Sequence, residues 1–165
     1  MGWDGVRPVI LFRSDVVARP LIVILVTVTV AVCVLNAAGA LVAPPVREPL
    51  LSTALLVFLI DGLAIANFYK LVVTFDGREV VFRFGLFRKS IPLAVIAGAE
   101  AVDIKWFSFG GLGIHFSSRG WAWLAASGPG IAVKTAGKTY YANVDRPAVL
   151  VNMIDDYRRA AGLSR

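Results

Sequence analysis

One acidic residue stands inside an apolar run: Asp61, in LLSTALLVFLIDGLAIANFY at Leu50–Tyr69. An ionisable group in a membrane helix suggests a proton or cation relay, or a polar group held by neighbouring hydroxyls. Thr27 and Thr29 of the preceding apolar run supply such hydroxyls at about the level of Asp61, so the three form a candidate intramembrane polar set. Elsewhere the chemistry is sparse. The chain has 1 Cys (Cys33) and 1 His (His115), too few for a Cys/His zinc site. Gly110, Gly111 and Gly113 are followed by no Gly-Lys-Ser/Thr, which excludes a phosphate loop of the P-loop kind. Ser117 and Ser118 near His115 read as strand-end hydroxyls. No catalytic residue, metal or cofactor is assigned, and the chain does not read as an enzyme.

The elements that must position Asp61 and the two threonines are apolar and long. Of 165 residues, 58% are apolar and 17% charged, a membrane-protein balance. Leu21–Val42 has no formal charge and is long enough to cross ~30 Å of hydrocarbon. A cleaved signal peptide would have a shorter apolar core. Leu50–Tyr69 is the second run: a central Asp costs roughly 2.5–3.5 kcal/mol, which its many Leu, Ile, Val and Phe residues can offset at roughly 0.3–0.6 each. The proline-rich link Ala43–Pro49 leaves room only for a turn, so two antiparallel membrane helices are expected. Residues 1–19 read as an interfacial helix or a loose tail.

Charge separates the chain into two halves. Residues 1–69 sum to zero, whereas residues 70–165 hold thirteen Lys/Arg against seven Asp/Glu, the whole net charge of +6. Basic residues flank the two runs: Arg7, Arg13 and Arg19 before the first, and Lys70, Arg78, Arg83, Arg88 and Lys89 after the second. The positive-inside rule then puts both termini in the cytoplasm. Lys70, Arg83, Arg88 and Lys89 are candidate contacts for anionic lipid head groups. Nucleic acid, the other generic partner of a basic surface, is not expected.

From Lys70 the pattern changes to period-two alternation. Leu71–Phe75 and Glu79–Phe84 flank Asp76-Gly77, a hairpin signal. Gly85 precedes a third strand over 86–91, and Pro92–Ile96 reads as a turn or a single helical turn. Residues 98–105, 114–117, 121–125, 131–135 and 138–144 complete a set of short strands. Trp106, Phe107 and Phe109 lie on a glycine-rich loop, a candidate interface. Asp145 looks like an N-cap with Pro147 in the first turn. Leu150, Met153, Ile154, Tyr157 and Ala161 then form the apolar stripe of an amphipathic helix.

The series Asp76-Gly77, Ile91-Pro92-Leu93, Gly111–Ile114, Gly120–Leu124, Gly128–Val133 and Tyr141–Pro147, followed by a helix, resembles the bacterial pleckstrin-homology-like domain that follows paired membrane helices. His115 stands where members often carry Arg. The resemblance implies a partly open antiparallel β-barrel with a C-terminal capping α-helix and, by itself, no activity. With that resemblance, the expected whole is an α+β membrane protein of the bacterial inner membrane. A cytoplasmic segment (1–19) leads to a two-helix transmembrane hairpin (20–69, helices at about 21–42 and 50–69), then a cytoplasmic PH-like domain (70–165). Such a chain would be a membrane-anchored binding or scaffold module for a partner protein or its own copies. The alternative is an accessory subunit of a transporter or membrane enzyme complex that uses Asp61.

Overall fold

The computed structural model describes residues 9–42 and 47–163. Residues 1–8 of the expected N-terminal segment, and 43–46 of the link between the apolar runs, lie outside the described part. The chain begins in a strand, β1 (Phe12–Val17), and passes into helix α1 (Arg19–Val42) and helix α2 (Arg47–Phe68). It returns through β2 (Lys70–Phe75), β3 (Glu79–Phe84) and β4 (Phe87–Pro92). A 3-10 turn at Leu93–Val95 leads to β5 (Ile96–Ile104), and a second at Trp106–Phe109 leads to β6 (Gly113–Ser117). Then come β7 (Gly120–Leu124), β8 (Gly128–Thr135), β9 (Lys138–Asn143) and helix α3 (Pro147–Ala160).

Three expectations are corrected. The described part of the N-terminal segment holds a strand rather than an interfacial helix or a loose tail: Phe12–Val17 pairs antiparallel with β2, Phe12 opposite Phe75 and Val17 opposite Lys70. Phe12 and Ser14 point inward and are buried, while Arg13 and Asp15 point outward. The two-helix transmembrane hairpin is not supported: among the described residues only α1, over Arg19–Gly39, is long and apolar enough to cross a membrane. Among the described residues the apolar stretch of α2 is Ser52–Phe68, and it carries Asp61. Nor is there one partly open barrel. The strands form two sheets, β1-β2-β3-β4 and β5-β8-β9-β7-β6.

The first sheet is a simple meander with a long helical excursion between its first two strands. Alternation builds it: Leu71, Val73 and Phe75 of β2 and Val80, Phe82 and Phe84 of β3 are fully buried on one face. The β2–β3 turn is closed by Asp76, whose Oδ1 accepts the N–H groups of Arg78 (2.8 Å) and Glu79 (2.9 Å). The second sheet is antiparallel apart from the β7–β9 pair, which runs parallel with Trp121 opposite Tyr140. Trp123 meets Phe82 and Phe84 of the first sheet with ring centroids 6.3 and 6.2 Å apart, so the main core lies between the sheets. A smaller cluster of Ile104, Phe109, Ala122 and Leu124 forms separately from it.

Helix α3 packs chiefly on β5 and buries Leu150 and Ile154 of its expected stripe. Tyr157 sets its ring edge-on to Phe75 at 5.5 Å, whereas Ala161 lies past the helix end and is exposed. Its N-cap is Arg146 rather than Asp145. The Asp145 carboxylate is turned toward β1 instead and accepts a hydrogen bond from the Ser14 hydroxyl at 3.1 Å. The N–H of Asp145 in turn donates to Ser14 Oγ at 3.0 Å. This reciprocal pair fastens the first strand to the start of the last helix.

Candidate membrane-facing site

The site is built where the helices leave the sheets. The Ala18 N–H donates to the Tyr69 carbonyl at 2.8 Å, extending the β1–β2 ladder up to the helix ends. The chain therefore leaves for α1 and returns from α2 at one place on one sheet. Phe68 at the end of α2 stacks on Phe87 (5.3 Å) and tilts against Phe84 (5.6 Å). Gly85, at φ 47°, presses its backbone onto α2, where a Cβ would come within 2.7 Å of the Asn67 carbonyl oxygen. Only a glycine tolerates that approach and that backbone angle. The β3–β4 turn is thus held against the root of the helices, and it raises Leu86, 88% exposed, at its tip.

Beyond this root the helices are bare. Val23, Ile24, Val26, Val28, Val30, Val34 and Leu35 of α1 are exposed, as are Leu55, Leu56, Phe58, Leu59, Ile60 and Leu63 of α2. Apolar surface of this extent needs a nonaqueous neighbour.

Asp61 is buried between the helices, and Thr29 Oγ1 donates a short hydrogen bond to its Oδ2. The same hydroxyl lies 3.0 Å from the Leu25 carbonyl. Thr27 does not join them. Its hydroxyl donates to Val23 O of its own helix at 2.8 Å, on an exposed face. Residues two apart on a helix are about 200° apart around its axis, so the two threonines cannot both face α2.

The outward face of the first sheet forms a cleft of about 430 Å³ that includes Arg13, Lys70, Arg83 and Arg88. Three of these four cations are matched by acids. Arg13 and Lys70 share Asp15, at 3.0 and 3.2 Å, and Arg88 pairs with Glu79 at 2.9 Å. The Arg13 hydrogen bond is the main reason the Asp15 carboxyl is held below the ordinary carboxylate range; partial burial opposes it, and Lys70 adds to the lowering. Arg83 donates from Nε to the Gly85 carbonyl at 3.0 Å and has no acidic partner among the described residues. Lys89, the fourth expected lipid contact, is not in this cleft. It follows Arg88 on the strand and so turns to the opposite face, where its Nζ sits 5.4 Å from the Tyr140 ring centroid.

The expected aromatic interface loop divides. Phe107 is 64% exposed. Trp106 is half-buried, and Phe109 is buried against Tyr141 at 4.8 Å. His115 is engaged with the Leu112 carbonyl, and Cys33 lies exposed on α1. Among the described residues no group of three or more His, Cys, Asp or Glu could hold a metal ion. Sequence reasoning missed Arg13 and Leu86. Alternation of Phe12, Ser14 and Val16 was the available signal for Arg13, and the Gly85 turn was the signal for Leu86.

No family model, curated protein or solved structure matches this chain.

Proposed function

We propose that this chain is a membrane-anchored binding module whose strand-rich unit recruits a partner protein, or further copies of itself, at the inner face of a bacterial plasma membrane. The observation that carries this reading is the bare apolar surface of α1, rooted in a pair of strands that pin both helix ends to one side of the molecule. A signal sequence would share the apolarity of α1. The pairing of β1, which precedes α1, with β2 supports a helix retained as part of the fold. The cations at the root, with Arg19 at the start of α1, favour the cytoplasmic side by the positive-inside rule. Kinship with the bacterial PH-like family belongs to the same reading, supported by the strand-rich unit and its C-terminal helix. The Thr29 hydrogen bond supports a packing role for Asp61 within the helix pair over a part in a transport path. Anchoring confines association to two dimensions, so modest affinity suffices.

The test is affinity purification of the full chain from membranes in mild detergent. The reading expects a specific partner or a defined oligomer, lost when exposed residues of the strand-rich unit such as Phe107 are replaced by Ser or Asp. Recovery of a solitary monomer under all conditions contradicts it.

A further inference from the structure

We propose that the outward cleft of the first sheet binds the phosphate group of an anionic phospholipid, with Arg83 as its principal contact. The proposal rests on the membrane placement of α1 argued above and adds a ligand to it. Arg83 spends one donor on the Gly85 carbonyl, at 3.0 Å, and the rest of its guanidinium fork has no hydrogen-bond partner among the described residues. A planar fork of this kind matches a phosphate. Arg88 is the cross-strand partner of Arg83, and Asp15 answers two cations with one carboxylate. Positive charge therefore remains uncompensated at the end of the cleft where Lys70 and Arg83 lie. The acids Asp76 and Glu79 lie toward the opposite end of the strands, at the β2–β3 turn.

The location fits the ligand. Lys70 follows the last residues of α2, and Arg83 precedes the Gly85 turn that abuts Asn67, so the basic end of the cleft opens at the root of the apolar helices. Next to it stand Leu86, 88% exposed, and Phe87, 49% exposed. Apolar side chains beside unneutralised cations suit the boundary where acyl chains meet head groups. The cleft, at about 430 Å³, is large enough for a glycerophosphate head.

The experiment is native mass spectrometry of the full chain in dodecyl maltoside, titrated separately with phosphatidylglycerol, phosphatidylcholine and inorganic phosphate. Expected is a retention of phosphatidylglycerol about fivefold or more above phosphatidylcholine, the scale of one basic residue near a charged surface. That preference should disappear in Arg83→Gln, weaken in Lys70→Gln and persist in Lys134→Gln, which lies outside the cleft. Circular dichroism of each variant establishes that it is folded. Equal retention of the two lipids, or an undiminished preference in folded Arg83→Gln, overturns the proposal. Arg83-dependent binding of inorganic phosphate with no lipid preference overturns the lipid assignment and gives the site to a soluble phosphate compound. A chain that is stripped from membranes by alkaline carbonate yet shows the Arg83-dependent preference would refute the membrane placement while upholding the site.

Discussion

Arg83 and Arg88 are cross-strand partners on the outward face of β3 and β4, and only Arg88 is matched by an acid, Glu79. Like charges placed directly opposite each other destabilise a strand pair. Arg83→Gln is therefore expected to leave the fold intact and to raise thermal stability in neutral detergent at low salt, by a few tenths of a kcal/mol. The gain should shrink as salt screens the pair. Thermal melting of both proteins at two ionic strengths measures it. A large loss of stability in Arg83→Gln would mean that Arg83 is a structural residue.

The first strand should be sensitive to acid through Asp15. Its carboxyl is held below the ordinary range mainly by Arg13 and secondarily by Lys70, so the ionised form is favoured in the folded chain. A depressed carboxyl contributes stability that is present above the ordinary carboxylate range and is lost as pH falls through the folded value. The stability difference between the native chain and Asp15→Asn should thus be present at neutral pH and vanish under acid conditions. The contribution is small, because the side chain is 35% exposed and solvent screens it. Amide exchange of β1 against pH reports it, and a difference that grows in acid would contradict the assignment.

Thr29 and Asp61 should behave as a coupled pair. Thr29→Val leaves Asp61 buried without its hydroxyl partner, whereas Thr29→Val with Asp61→Leu removes both polar groups. The double substitution is expected to be less destabilising than Thr29→Val alone, because an unsatisfied buried acceptor costs more than an absent one. Leaving a buried polar group without its hydrogen-bond partner costs about 1–3 kcal/mol. Thr27→Val should have little effect, since its hydroxyl serves only its own helix. A thermal-denaturation double-mutant cycle in detergent gives the coupling, and additive single effects would refute it.

The sequence revealed local order better than long-range pairing. Strict alternation made β2 and β3 legible, and Asp76-Gly77 marked their turn. The 3-10 turns around Leu93 and Trp106 were signalled by Pro92 and by the glycines after Phe109. β1 was hidden because it is short and its buried face includes Ser14. Its partner strand also lies beyond two helices, at a separation that no local pattern reports. The division into two sheets was hidden for a related reason: a strand's own pattern does not say which strand it pairs with, and β7 and β8 carry continuous buried runs rather than alternation. α2 was expected to cross a membrane on the sum of its apolar residues against Asp61, whereas among the described residues only α1 is long and apolar enough to do so. At the site, period two already separates Arg88 from Lys89, so treating them as one basic set ignored a signal that was present. The unmatched state of Arg83 depends on where Asp15 and Glu79 reach, and only the assembled sheet displays that.

The retention of the full chain in membranes after alkaline carbonate washing tests the account at its centre, the embedding of α1. The expected result is that the native chain stays in the membrane pellet and that Val26→Lys with Val30→Lys, both on the exposed face of α1, releases it. Quantitative release of the native chain as a soluble protein would contradict the account.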